Sequence, residues 1–227
     1  LPGGPGLAPA GVAPRLEGKV GSPFRRPIAV AEIEAEVKLT ISPEDYHRIL
    51  ASGDLLGCRE QLNVYFHDPR RLREGSGFFR VRFETGSAPV ATLKIPVDWE
   101  GGVRRMVEME EPLEAMGPGL YPRPRRRVDV EDLPGEMARH FLAMDVTALV
   151  RLGWMRNRRC LVGLGREGVV EVDRTLLPDR TVQYEVEIET SDPGTRKALV
   201  ERVRDLAPSA TPSSLGKFSR FLEAMGA

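Results

Sequence analysis

Ionisable side chains recur at every second position in several stretches of this chain, and that constrains its fold more than any other feature. Glu32, Glu34, Glu36 and Lys38 fall on one face of an extended segment, and Ile33, Ala35, Val37 and Leu39 fall on the other. A period of two marks a β-strand with two unlike faces. The pattern returns in FFRVRFE with Arg80 and Arg82, in ATLKIP with Lys94, between Val103 and Glu111 with Glu108 and Glu110, and from Val182 to Glu189 with Glu185 and Glu187. For any one strand a solvated face explains the alternation. The set as a whole argues for more, because acids dominate the first and last strands and cations the middle ones. The apolar faces are also matched by amphipathic helices that would cover one side. If such a sheet closes, its charged face lines a lumen. The fold class expected is therefore α+β: an eight-stranded antiparallel β-barrel flanked by about four helices.

Punctuation along the chain supports this reading. Residues 1–27 are rich in Gly, Pro and Ala and form an expected mobile arm, leaving 28–227 as one domain. Ser42-Pro43-Glu44-Asp45 is a helix start, with a cap, a proline and two acids in the first turn, and the helix should run to about Ala51. Strands are expected at Glu60–Phe66, Gly77–Glu84, Val90–Pro96 and Val103–Glu111, separated by short turns that favour antiparallel neighbours. Gly117–Asp132 is Pro-rich and basic and reads as an exposed loop or lid. Met137, Phe141, Met144, Ala148 and Leu152 are spaced for a helix over Glu136–Leu152. Strands should follow near Arg158–Leu164, Gly168–Arg174 and Val182–Glu189, then helices over 193–206 and 213–225.

Composition narrows the function classes. Lys+Arg and Asp+Glu both number 33, so no global field would draw DNA or an anionic membrane. No run reaches the roughly 18 apolar residues of a membrane span, and a cytoplasmic protein is expected. Cys58 and Cys160 stand far apart and outside any Cys-x-x-Cys pair, which argues against a disulfide and against a thiolate metal site. His47, His67 and His140 lack ligand spacing, and Trp99 and Trp154 are expected to pack inside.

Charges facing a lumen are costly unless paired, several kcal/mol per desolvated ion. A guest with several negative charges, bridged to the carboxylates by Mg²⁺ or Mn²⁺, satisfies both signs, while Arg and Lys contact its phosphate oxygens. The expected partner is a small-molecule triphosphate or polyphosphate, with a homodimer allowed.

Glu34-Ala35-Glu36-Val37-Lys38 resembles the E-x-E-x-K signature of the CYTH domain, the triphosphate tunnel metalloenzymes, which include tripolyphosphatases, thiamine triphosphatases and class IV adenylate cyclases. Further segments resemble the family in order: Gln61 to Phe66, FFRVRF, Thr92-Leu93-Lys94, Glu108 with Glu110, Arg159, Val172-Asp173, Tyr184 to Glu187, and Lys217. The resemblance implies that Glu34, Glu36, Glu108, Glu110, Asp173, Glu185 and Glu187 hold metal. It implies that Lys38, Arg80, Arg82, Lys94, Arg159 and Lys217 bind substrate, with Lys38, Glu36 and Arg159 catalytic. Departures from the pattern are His67 in place of an Asp, with Asp68 next, and Met106 in place of an Arg, with Arg104 or Arg105 to substitute. Arg158 and Arg159 compete for one lumen position, since a shift of one residue reverses the face. The activity implied is metal-dependent hydrolysis of a triphosphate. The alternatives are a class IV-type cyclase, a non-catalytic polyphosphate or RNA-end binding module gripping with PRPRRR, and an open sheet with solvated charges.

Overall fold

A computed structural model describes residues 32–68, 77–100, 102–113, 127–133, 135–213 and 215–226 of the 227-residue chain. The expected arm, 1–27, and most of the Arg-Pro segment lie outside the described residues. Among the described residues ten strands form in chain order: β1 Glu32–Thr40, β2 Asp54–His67, β3 Phe78–Glu84, β4 Val90–Glu100, β5 Val103–Pro112, β6 Arg127–Asp129, β7 Ala148–Gly163, β8 Val169–Leu176, β9 Val182–Glu189 and β10 Thr211–Pro212. Four α-helices join them: α1 Pro43–Ser52, α2 Gly135–Ala143, α3 Pro193–Leu206 and α4 Lys217–Met225.

Eight strands close in the order β1-β5-β4-β3-β2-β7-β8-β9, and β9 pairs back onto β1. Every pairing is antiparallel. Closure leaves no barrel edge, and the short β6 and β10 lie alongside β7 and β1. Register decides which face each residue shows. Lys38 stands opposite Glu187, Arg80 opposite Thr92, Lys94 opposite Glu108 and Arg159 opposite Asp173. Partners directly opposite share a face, so the ionisable positions of all these strands point the same way, into the barrel.

The apolar positions point out, and the hydrophobic core therefore lies around the barrel instead of inside it. On one side Val64, Phe66, Phe79, Val81 and Leu93 meet Val130, Met137 and Phe141 under α2. On the other, Leu39, Val162, Val172, Val186 and Ile188 meet Tyr46 and Ile49 of α1 and Leu199 and Val203 of α3. The caps form as expected: the Ser42 hydroxyl accepts from the Asp45 amide and Asp192 from the Thr195 amide.

A third apolar cluster sits within one end of the barrel, where lumen-facing Tyr65, Met155 and Leu177 receive Phe221 of α4. The Tyr65 and Phe78 rings stack against Phe221 and Phe218, with centroids 4.8 Å apart in both pairs. Gly153 makes room for this seat, since a Cβ there would stand 3.1 Å from Phe221 Cζ. Thus α4 fills one end of the barrel.

Several sequence expectations need correction. The helix expected over Glu136–Leu152 ends at Ala143, Asp145 takes a positive φ of 57°, and Ala148–Leu152 begins β7. Arg127–Asp132, read as loop, forms β6 and a 3-10 turn with Val128 and Val130 buried. Trp99 and Trp154 are half exposed, not packed inside, and Arg104 and Arg156 lie over their rings. Most substantially, Cys58 and Cys160 form a disulfide. They face each other across the β2–β7 ladder, a pairing that their separation of 102 residues concealed.

A bridge closing so long a loop restricts the unfolded chain. Reduction, or replacing both cysteines by serine, is expected to lower unfolding free energy by about 2–4 kcal/mol, read from urea midpoints with and without reductant. An unchanged midpoint would contradict a formed bridge.

Candidate functional site

The lumen divides by charge. Its acidic wall is built by β8 and β9, whose period of two stacks Glu171 with Asp173 and Glu185 with Glu187 across the ladder from one another. Asp173 and Glu185 are almost wholly buried and Glu187 nearly so. One oxygen from each of Asp173, Glu185 and Glu187 lies within 4.8 Å of the others. An all-carboxylate set of this kind fits a hard, oxygen-preferring cation such as Mg²⁺ or Mn²⁺.

Cations of the chain itself are gathered on this wall. Lys38 lies 2.8 Å from both Glu36 and Glu187. Arg159 is held by Asp173, by Glu187 at 2.8 Å and by Glu171. From α4, Lys217 contacts Asp173 and Glu187 and reaches Glu185 at 2.6 Å, while Arg220 contacts Glu185. Burial alone would lower the Lys38 pKa, but Glu187, Glu36 and Glu185 outweigh it and hold the ammonium well above the usual lysine value. Burial would likewise raise the Asp173 carboxyl, yet Arg159 and Lys217 hold it down to about 2.

The opposite wall, β3 to β5, is less evenly matched. Lys94 pairs with Glu108 at 3.1 Å. Arg80 is buried, reaches Glu108 and Glu110 only at 3.9 and 3.8 Å, and its Nε has no hydrogen-bond partner among the described residues. Arg82 hydrogen-bonds the Asn63 side chain at 3.4 Å, and its guanidinium is pushed down in pKa by burial and by the neighbouring charge of Arg80. Two adjacent guanidiniums with few close negative partners are a set that could hold an anion. Burial would raise Glu110, but Arg82, Arg80 and Lys94 hold it at about 2.

Most site residues expected from sequence come together here. Glu36, Lys38, Arg80, Arg82, Lys94, Glu108, Glu110, Arg159, Asp173, Glu185, Glu187 and Lys217 all face the lumen. Glu34 lies in β1 opposite Met106, with its side chain outside the described ones. Arg159 takes the lumen position, whereas Arg158 points outward, 3.8 Å from Glu60. Arg104 shares the lumen parity and stands beside Gly216 at the start of α4, while Arg105 pairs outside with Asp98. His67 and Asp68 are both buried, and the ring of His67 stacks on Phe218 at the plugged end. Lys217, which a surface helix would have exposed, keeps only 10% of its side chain exposed.

Sequence reasoning missed Arg220 and a buried amide chain. Asn157 donates to Gln61 and Asp173 at 3.1 Å each and accepts from Thr175 at 2.8 Å, and Gln61 donates to Glu84 at 2.7 Å. These groups fix the Asp173 carboxylate through Oδ1, the oxygen that also accepts from Arg159 Nε. Their signal was present as parity, since Asn157 is two residues from Arg159, and as helix phase, since Arg220 is three from Lys217.

The CYTH domain family model matches residues 32–222, and the chain belongs to that family. A search of the curated proteins finds no match. Among solved structures, HpAC1 of Hippeastrum, provisionally an adenylyl cyclase and described with a dominant triphosphatase activity, is similar at 24% identity and TM-score 0.65, covering 84% of this chain and 95% of its own. A Bacillus halodurans protein, provisionally an adenylate cyclase, has 18% identity, TM-score 0.60 and coverage of 84% and 97%. The PH1819 protein of Pyrococcus horikoshii has 14% identity, TM-score 0.53 and coverage of 83% and 98%. These likenesses establish the closed triphosphate-tunnel fold.

Ion pairing of this density makes stability depend on pH. Glu110 and Asp173 have folded pKa values below their unfolded ones, so their contribution is present above about pH 4.5 and is lost as pH falls toward 2. Urea midpoints should drop across that window, with a shallower drop in Glu110→Gln. A flat profile would contradict the assigned pairing.

Proposed function

We propose that the protein is a metal-dependent hydrolase that takes a triphosphate into the barrel lumen and cleaves its phosphoric anhydride. The observation that carries this reading is the pairing of two under-neutralised guanidiniums, Arg80 and Arg82, with a tri-carboxylate cluster on the facing wall of one enclosed space. One wall suits phosphate oxygens and the other a divalent cation that phosphate would share.

In this reading Arg80, Arg82 and Lys94 bind the phosphate chain, Lys38 and Arg159 balance charge between phosphate and carboxylates, and Asp173, Glu185 and Glu187 hold Mg²⁺ or Mn²⁺, with Glu34 and Glu36 beside them. The bound cation supplies charge neutralisation at the phosphate oxygens. Glu36 is buried beside Lys38 and orients the attacking water, accepting its hydrogen bond. Water oxygen bonds to the terminal phosphorus as the bridging P–O bond breaks, the water proton passes to the Glu36 carboxylate, and the guanidiniums stabilise the charge that collects on the leaving oxygen. The α4 plug favours entry of a linear, charged end through one mouth, which suits hydrolysis from the terminus. The activity described for HpAC1 accords with this reading.

No helix among the described residues is long and apolar enough to cross a membrane. The Cys58–Cys160 bridge, a linkage favoured in oxidising compartments, counts against the cytoplasmic location expected from sequence.

Phosphate release from inorganic tripolyphosphate, ATP and thiamine triphosphate, with Mg²⁺, Mn²⁺ or chelator, tests the proposal. Metal-dependent release is expected, falling about 100-fold or more in Glu36→Ala, whereas Arg82→Ala should chiefly raise KM. Tight tripolyphosphate binding without release from any substrate would favour the binding module, and cyclic nucleotide formation from ATP would favour the cyclase.

A further inference from the structure

The acidic cluster that suits a divalent cation already contains one: the Lys217 ammonium, which touches Asp173, Glu185 and Glu187 together. We propose that Lys217 is an exchangeable resident cation, that a divalent metal entering the cluster displaces it, and that metal occupancy thereby decides whether Lys217 ties the start of α4 to the acidic wall. The proposal rests on the metal reading of the cluster given above.

Three features single out Lys217 among the cations present. First, it is a compact, strongly hydrated point charge on a flexible stem, the side chain closest in kind to a small metal ion, and it touches all three carboxylates of the cluster, whereas Lys38 pairs with Glu187 and with Glu36 beside it. Arg159 is instead anchored in β7 with three carboxylates, and Arg220 is fixed within α4 by Glu185 and by Ser213 at 3.2 Å. Second, Lys217 is the first residue of α4, and Gly216 before it provides no side-chain cap. A cation at a helix N-terminus is opposed by the helix dipole, so the carboxylates are what hold Lys217 there. Third, α4 is anchored by other side chains, Phe218 and Phe221 against the aromatic cluster and Arg220 on Glu185. The Lys217 side chain can therefore leave the cluster while the plug stays in place.

The competition follows from charge. A divalent ion within the cluster would stand against the ammonium at close range, in a space where water screens poorly. Glu185 keeps Arg220 as a partner in either state, whereas Asp173 and Glu187 exchange Lys217 for metal. Apparent metal affinity is reduced by the fraction of protein whose cluster is free of the ammonium, so a cluster free one time in ten binds about ten-fold more weakly.

Mn²⁺ titrated into the full chain without substrate, with free ion read by electron paramagnetic resonance, measures that affinity directly. Lys217→Met should bind Mn²⁺ at least about ten-fold tighter than wild type, Lys217→Arg should stay near wild type, and Glu187→Gln should bind weakly. In wild type, amine-selective acylation of Lys217, read by peptide mass spectrometry, should quicken when Mn²⁺ is added, which tests displacement without a substitution. Equal or weaker Mn²⁺ binding by Lys217→Met, while Glu187→Gln still loses it, would overturn the exchange and leave the metal site standing, as would acylation unaltered by Mn²⁺. Absence of Mn²⁺ binding by wild type and Lys217→Met alike would overturn the exchange together with the metal reading.

Discussion

Ionised side chains enclosed by a closed barrel must find opposite charge, and the rest of this structure is arranged around that requirement. A buried carboxylate or guanidinium loses hydration worth several kcal/mol and regains it only through close pairing. On the β8–β9 wall the pairing is dense: Lys38, Arg159, Lys217 and Arg220 bridge Glu36, Glu171, Asp173, Glu185 and Glu187. On β3 it is incomplete, for Arg80 meets its acids only at long range. The stability of the lumen and the anion affinity proposed for it thus share one cause.

Because polar groups fill the barrel, the apolar work is done elsewhere. Two hydrophobic layers lie between the barrel wall and α1, α2 and α3, and the strands belong to both systems at once through their period of two. The exception is the plugged end, where Tyr65, Met155 and Leu177 continue the lumen-facing parity with apolar side chains and accept α4. That apolar collar lets one helix deliver Lys217 and Arg220 to the acidic wall without exposing its own aromatic face.

Much of this was legible in the sequence, for a physical reason. Parity within a strand is local, so Glu36 with Lys38, Arg80 with Arg82 and Glu185 with Glu187 could be assigned to one face from spacing alone. The helix starts at Ser42-Pro43 and Asp192-Pro193 were equally local. What escaped was set by long-range pairing. The Cys58–Cys160 bridge depends on β2 lying beside β7, which no spacing encodes. The end of α2 was overrun because Ala148 and Leu152 fit helical and strand periods alike, and the break at Asp145 is a backbone event. Lys217 was marked only by the family resemblance, because the docking of Phe218 and Phe221 that turns its helix inward leaves no local trace.

The central claim is that the lumen holds a polyanion and a divalent cation jointly, each completing the charge balance of the other. Calorimetric unfolding with Mg²⁺ alone, with inorganic tripolyphosphate alone and with both, under conditions where hydrolysis is negligible, tests it most directly, since a ligand stabilises the fold in proportion to its binding. The account predicts a rise in Tm with both ligands that exceeds the sum of the separate rises. A joint rise no larger than that sum would contradict it.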